Sequence, residues 1–322
     1  MTADRPPRGT WSVGLDVGGT KVLGVLLDER AVVRDRLRVP TRRGTAGVVA
    51  AAADVVERLC AGAGLAPADL AGVGAGVPGL VDPGTGRLSY AVNLGIHEPD
   101  VDLAPMLSAR LGGVPVVVEN DLNAAAVGAA AALGLRGDLA YLALGTGVAA
   151  GLLLGGELRR GARGAAGEIG HVPYDPTGPA CPCGQRGCLE LYASGSAIDA
   201  AWTARDGRPA ATDLFAAAAA GDAGAVRIRD AFADAVAAAV RLLVLTCDVE
   251  HVVLGGGVAE VGRPLLDAVA ARLRRQTAGS PFLRSLHIAE RLQVTPRDVP
   301  VAPMGAALSV RRPSLAVREG AS

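Results

Sequence analysis

From Trp11 to Asp28 the chain reads WSVGLDVGGTKVLGVLLD, two valine- and leucine-rich stretches on either side of Gly18, Gly19 and Thr20. This pattern predicts a strand, a tight glycine turn and a second strand pairing antiparallel to the first. It returns from Tyr141 to Leu158, YLALGTGVAAGLLLGGEL, with Gly145, Thr146 and Gly147 at the turn. Two matching hairpins point to a duplicated architecture that pinches phosphates between its halves. A third glycine cluster, Gly255, Gly256 and Gly257, separates a strand at His251 to Leu254 from a helix starting near Arg263, a geometry that lets a ring or phosphate approach the backbone. Further strands are predicted at Val32 to Val39 and Pro115 to Val118. Helices are predicted at Thr45 to Cys60, Leu122 to Leu133, Ala223 to Thr246 and Pro303 to Arg312. The ends, Met1 to Arg8 and Pro313 to Ser322, read as frayed tails.

Composition narrows the class. A chain of 322 residues is long for one core and predicts two domains. Half of it is hydrophobic, but charges such as Asp234 and Arg241 interrupt the longest apolar run, which excludes a membrane span. Lysine plus arginine equals aspartate plus glutamate at 32 each, so a nucleic-acid partner has no electrostatic support. Aromatics at 3% offer few stacking platforms for bases. The N-terminus MTADRPPRGT lacks the apolar core of a secretory signal, and a reducing cytoplasm is expected.

The densest chemistry lies between Glu168 and Glu190, EIGHVPYDPTGPACPCGQRGCLE. Nine residues separate His171 from Cys181, one separates Cys181 from Cys183, and four separate Cys183 from Cys188. Four prolines break the segment, so neither helix nor strand is expected there. Three thiolates and an imidazole make a closed tetrahedral zinc set of the structural type. The competing reading is scattered thiols or a disulfide, which a reducing compartment disfavours. Cys60 and Cys247 stand in apolar surroundings as buried small hydrophobes.

Other signals are weaker singly. Lys21 is the only lysine among 32 basic residues, and it sits in the first glycine turn, where a compact ammonium suits a nucleotide or chance has spared one position. The turn fits neither a Walker loop nor a dinucleotide fingerprint. Freed amides can still cradle phosphate and Asp16 can hold magnesium through water, although an ordinary hairpin reads equally well. In VENDLN, Asn120 or Asp121 is a natural N-cap. That explains one of them, not Glu119, Asn120, Asp121 and Asn123 together. A carboxylate between a strand end and a helix start is where α/β proteins place reactive groups, which makes Asp121 the candidate base.

With the DVGGTK hairpin, the END-N segment, LGTG and GEIGH followed by CPCGQRGCLE, the chain resembles the ROK sugar kinases, bacterial glucokinases and their relatives in the sugar kinase and actin superfamily, from about Gly14 to about Leu308. The resemblance implies an α/β fold of two actin-like, ribonuclease H-like ATPase domains with an interdomain active-site cleft. It implies ATP-dependent phosphorylation of a hexose hydroxyl, foremost glucose to glucose 6-phosphate, with ATP, Mg2+ and a structural Zn2+. On this basis Asp16, Gly18, Gly19, Thr20 and Lys21 form the first phosphate loop, Gly145, Thr146 and Gly147 the second, and Gly255, Gly256 and Gly257 the adenosine side. Asp121 is the catalytic base. Gly79, Asn93, Asn120, Asp121, Glu168, His171 and Glu190 contact the sugar. His171, Cys181, Cys183 and Cys188 hold zinc, His171 using its other ring nitrogen on a hydroxyl. A homodimer or homotetramer is implied as well.

The chain departs from the family pattern in two places. Val148, Ala149 and Ala150 replace the glycines that commonly follow the second turn, and GIHEPD from Gly95 to Asp100 lacks an aromatic many glucokinases carry. Glucose is therefore not fixed as the acceptor. N-acetylmannosamine, N-acetylglucosamine, fructose and allose stay open, as does polyphosphate as donor. His97 in that loop reads as solvent-exposed. A sugar-sensing repressor is the rival class, disfavoured because the first hairpin at residue 11 leaves no room for a helix-turn-helix domain in front of it. These anchors put an N-terminal α/β domain at 9–119, joined by the C-terminal helix at about 301–312, and a larger domain at 120–300 carrying the zinc loop 168–190.

Overall fold

The computed structural model describes residues 9–82, 85–205 and 207–311. The expected tails at Met1 to Arg8 and Pro313 to Ser322, and Arg312 at the expected end of the last helix, lie outside the described residues. The chain forms two compact units. Unit 1 takes the residues up to Ala132, Arg160–Ala165 and those from Pro300. Unit 2 takes Leu133–Arg159 and Ala166–Val299.

Unit 1 is a mixed sheet with helices. Its strands are β1 (Trp11–Val17), β2 (Lys21–Leu27), β3 (Val33–Pro40), β4 (Leu70–Val77), the short pair β5 (Leu80–Val81) and β6 (Leu88–Ser89), and β7 (Val116–Asn120). Its helices include α1 (Thr45–Gly62), α2 (Leu103–Arg110) and α3 (Asp121–Leu133). The main sheet runs β3-β2-β1-β4-β7, with β1 antiparallel to β2 and parallel to β4. Period-two alternation sends Val13, Leu15 and Val17 of β1, with Val73, Ala75 and Val77 of β4, into one core with the buried valines, alanines and leucines of α1. The other face carries Ser12, Gly14 and Asp16 on β1 and Gly72, Gly74 and Gly76 on β4. Because that face is almost bare of side chains, helices can lie directly on it.

Unit 2 repeats the plan. Its strands are β8 (Leu139–Leu144), β9 (Val148–Leu154), β10 (Glu157–Leu158), β11 (His251–Gly255) and β12 (Leu292–Val294), in the order β10-β9-β8-β11-β12. Again a hairpin precedes parallel strands: β8 pairs antiparallel with β9 and parallel with β11. The duplication read from the two glycine hairpins is thus present strand for strand. The helices are α4 (Glu190–Ala193), α5 (Gly195–Ala201), α6 (Ala210–Ala219), α7 (Ala223–Cys247), α8 (Arg263–Thr277) and α9 (Pro281–Ser285). The Asp222 carboxylate accepts from the Ala225 amide at 2.9 Å and starts α7, while Asp248, left-handed at φ 47, ends it. Its buried face, including Phe232, Val236, Val240 and Leu243, has the spacing of one helical side.

The chain then returns to unit 1 as α10 (Val301–Ser309). A Cβ on Gly14 would lie 1.8 Å from the Pro303 carbonyl oxygen, and one on Gly74 would lie 1.8 Å from that of Ala306. Gly305 of α10 is as tightly held against the Ala124 carbonyl of α3, and Gly128 of α3 against that of Val301. Helix α3 is packed backbone to backbone with α10 and falls in unit 1, as do Arg160–Ala165. No helix among the described residues is long and apolar enough to cross a membrane. Gly74→Val is expected to force α10 off the sheet and cost about 1 to 3 kcal/mol or more, as overpacking does. Urea unfolding of the variant measures it.

Candidate functional site

In unit 1 the first turn is built from main-chain bonds. The Gly18 amide donates to the Lys21 carbonyl at 2.9 Å, and Thr41 secures the loop by donating its hydroxyl to Gly18 O at 2.6 Å and its amide to Thr20 O at 3.1 Å. A Cβ on Gly19 would stand 3.0 Å from the Asn93 carbonyl oxygen, so glycine there lets the Asn93 loop close on the turn. Thr20 and Lys21 are exposed.

Beside the turn stands Asp16. It shares the helix-bearing face of β1, and Gly76 on β4 brings the backbone of Asp121 close, 3.4 Å from where its own Cβ would be. Burial pushes the Asp16 carboxyl up to about 6, the Asp121 charge adds to the rise, and Lys21 partly offsets it. At the end of this sheet Asp16 thus feels a second carboxylate, that of Asp121, with the Lys21 ammonium acting against it.

Asn120 is the residue that caps α3. Its Oδ1 accepts from the Leu122 amide at 3.0 Å and the Asn123 amide at 3.3 Å, while its Nδ2 donates to Gly79 O at 3.1 Å. One Nδ2 hydrogen is left for a ligand. Gly79 is at φ +114, where its missing Cβ would meet Ser89 O at 2.8 Å. The Asp121 carboxylate accepts from the Leu122 amide at 3.0 Å, an interaction with the positive end of α3. Glu119, left without a role by the sequence, is 4% exposed and paired with Arg160 at 2.6 Å. Nothing in the sequence distinguished Arg160 from the other arginines.

In unit 2 the segment from Glu168 is irregular apart from a 3-10 turn at Ile169–His171. It is fastened to β9: the Ala150 amide donates to Gly167 O at 2.8 Å, and Cβ atoms on Gly167 and Gly170 would lie 1.8 and 1.9 Å from the carbonyls of Ala150 and Val148. Val148 and Ala150 are buried in the core and Ala149 only partly. The departure at 148–150 therefore reduces to the methyl of Ala149.

His171, Cys181, Cys183 and Cys188 converge, one donor atom from each lying within 4.8 Å of all the others. The Cys183 and Cys188 sulfurs are 3.6 Å apart, close to the ~3.8 Å edge of a tetrahedron with ~2.3 Å metal–sulfur bonds. The Gln185 amide is the main influence drawing the Cys183 thiol down to about 6, while burial drives that of Cys188 up to about 12. Three thiolates cannot share so small a space without a cation. The imidazole Nδ1 of His171 is buried with no hydrogen-bond partner. A buried nitrogen without a partner on an imidazole set among crowded sulfurs is what a zinc ligand set presents, and the four residues fit that ion.

Glu190 joins this cluster to the second turn. One carboxylate oxygen is 3.7 Å from the Cys181 sulfur and 3.9 Å from His171 Nδ1, and the other is 2.7 Å from where a Cβ of Gly147 would stand. The turn itself closes with the Gly145 amide on Gly147 O at 3.1 Å, and the Gly195 amide donates to Gly145 O at 2.7 Å. Gly256, at φ +80, packs against Leu144 O, next to the same turn, and Gly255 leaves space filled by Tyr141. Glu168 is exposed on the 3-10 turn that carries His171, and His97 is exposed in its loop.

The family model described as ROK family matches residues 12–292. The chain belongs to the ROK family. A glucokinase of Halalkalibacterium halodurans is 34% identical over 298 residues, 84% of this chain and 89% of that one. An N-acetylmannosamine kinase of Yersinia pseudotuberculosis is also 34% identical, over 81% of this chain and 87% of its own. Among solved structures, a ROK family glucokinase from Streptomyces griseus, in complex with glucose and AMPPNP, superposes with a TM-score of 0.75 at 30% identity, covering 94% of this chain and 99% of that one. The mixed α/β sheets described above are the ROK kinase fold.

The raised Asp16 carboxyl makes a signed expectation. Its folded value of about 6 exceeds the ordinary 3.8, so the folded protein keeps a proton that the unfolded chain has lost, and stability falls as pH rises through this window. In the ligand-free protein Asp16→Asn is expected to stabilise by on the order of 1 to 3 kcal/mol above pH 6, the gain vanishing near pH 4. Thermal melts of both proteins across that range test it.

Proposed function

We propose that the protein is a cytoplasmic ATP-dependent sugar kinase that transfers the γ-phosphoryl group of ATP to a hexose hydroxyl, with glucose the favoured acceptor. The observation that carries the reading is the acidic pair Asp16 and Asp121 beside a glycine turn, in a chain belonging to a family whose glucokinase member it matches over most of its length. N-acetylmannosamine is the second acceptor, because a kinase for that sugar is as similar in identity.

Asp121 accepts the proton of a primary hydroxyl as the sugar oxygen bonds to the γ-phosphorus and the bond from phosphorus to the β–γ bridging oxygen breaks, releasing ADP. The Leu122 amide and the start of α3 keep that carboxylate oriented. With the Gly18 and Gly145 amides closing their own turns, the amides of Gly19 and Thr20 and the Lys21 ammonium take up phosphate charge on one side, and those of Thr146 and Gly147 on the other. Gly257, where a side chain would meet nothing within 4 Å, leaves room for the adenosine beside the packed Gly255 and Gly256. Asp16 would hold Mg2+ through water; the ion supplies charge neutralisation on the β- and γ-phosphates.

On the acceptor side, Asn120 has one N–H to offer, the Gly79 and Asn93 loops line the approach, and Glu168, His171 and Glu190 bind hydroxyls. His171 Nδ1 with Cys181, Cys183 and Cys188 would hold Zn2+, which supplies a fixed dication that orders an otherwise irregular segment. The remaining nitrogen of His171 is then free for a sugar hydroxyl. The assignment draws residues from both units, so the interdomain cleft implied by the resemblance is part of the proposal, as is a homodimer or homotetramer.

Asp121→Asn is expected to lower kcat by about 10²- to 10⁴-fold, the range for loss of a general base, while calorimetry still detects sugar binding. Near-normal turnover would remove Asp121 from this role. Cys183→Ser is expected to lose zinc by elemental analysis and to bind sugar more weakly; an unchanged metal content contradicts the ligand set.

A further inference from the structure

The Glu119 carboxylate is buried at the end of β7 with both oxygens engaged. Its Oε1 accepts from the Asn120 amide at 3.0 Å and from Asn123 Nδ2 at 2.9 Å. Its Oε2 accepts from Arg160 Nε at 2.8 Å and pairs with the second guanidinium nitrogen at 2.6 Å. Asn120 passes the restraint on, capping Leu122 and Asn123 through Oδ1 and reaching Gly79 through Nδ2. Four residues are thereby locked around the strand-to-helix junction that presents Asp121.

Arg160 reaches this junction from far along the chain. After β10 the chain leaves unit 2 at Arg159, spends Arg160–Ala165 in unit 1, and re-enters unit 2 at Ala166. The excursion is held at its far end by Gly164, at φ +73, whose Cβ would stand 2.7 Å from Val81 O. It leads directly into Gly167, Glu168 and His171. Burying one carboxylate against a partly exposed arginine adds little net stability over an apolar replacement, so the pair's place behind the base calls for another reason.

We propose that Arg160 is a positioning residue for phosphoryl transfer: held on the Glu119 carboxylate, it fixes Asn120 and the first turn of α3, and so the aim of the Asp121 carboxylate. The proposal rests on the kinase reading. Arg160 acts through Glu119 and takes no proton itself. Its removal strips a buried carboxylate of its countercharge, and the junction that Glu119 organises loosens with it.

The test compares Arg160→Met, Arg160→Lys, Glu119→Gln and the Arg160→Met/Glu119→Gln double variant. Arg160→Met is expected to lower kcat 10- to 100-fold with the KM for ATP changed less than threefold, and Arg160→Lys to recover part of the loss. Gln at 119 turns an N–H toward the guanidinium, so Glu119→Gln is expected to match Arg160→Met, and the double variant to fall no further than either. Wild-type kcat in Arg160→Met, or losses that multiply in the double variant, would overturn the proposal. Hydrogen exchange at the Leu122 and Asn123 amides is read in parallel and is expected to quicken in Arg160→Met. Unchanged exchange overturns it even if the wild-type protein turns over no sugar, a result that would sink the kinase reading instead. Arg160→Lys and Glu119→Gln keep charge or shape and serve where Arg160→Met fails to fold.

Discussion

A carbonyl oxygen of α10 stands 1.8 Å from where a side chain on Gly14 would begin, and another stands as near to Gly74. Two strands of one sheet thus give up their side chains on a single face so that helices can rest on the main chain. That concession places the start of α3 over the ends of β1 and β4, which is why Asp121 and Asp16 meet. The same device recurs in unit 2, where Gly167 and Gly170 let an irregular segment lie along β9 and deliver His171 to the cysteines.

Each unit then concentrates an electrostatic problem that a ligand would relieve. Unit 1 buries the Asp16 carboxyl where the Asp121 charge opposes its ionisation, which raises it to about 6. Unit 2 crowds three sulfurs, an imidazole nitrogen without a hydrogen-bond partner and Glu190 into a few ångströms. Isolated, both arrangements weaken the fold, and groups that cost stability while sitting beside glycine turns mark places where function has been favoured over stability. Glu190 belongs to both descriptions of unit 2, since it touches the sulfurs with one oxygen and the second turn with the other. Under the proposed kinase activity, ordering the metal segment and shaping the phosphate turn become one event.

The hairpins were legible because period-two alternation and a glycine turn leave little freedom for anything else. The metal cluster was legible from spacing, since three cysteines within eight positions have few structural uses. The packing of α3 on α10 was not. Nothing local marks which helix will lie against another, and Gly128 against Val301 decides the matter at a distance of many residues. Arg160 was invisible for a related reason: an arginine-rich chain hides a partner for Glu119 among 31 candidates. Burial of Glu119, known only from the fold, singles it out.

Phosphoryl transfer to a sugar is the reaction on which both sites converge. Purified protein incubated with ATP, magnesium and each of a panel of hexoses and N-acetylhexosamines, followed by coupled ADP release and phosphorus NMR of the products, reads it in one experiment. Sugar-dependent ADP release with a phosphomonoester formed on a primary hydroxyl, strongest with glucose, is the predicted result. Sugar binding without turnover of any acceptor would contradict it and leave a binding protein in place of an enzyme.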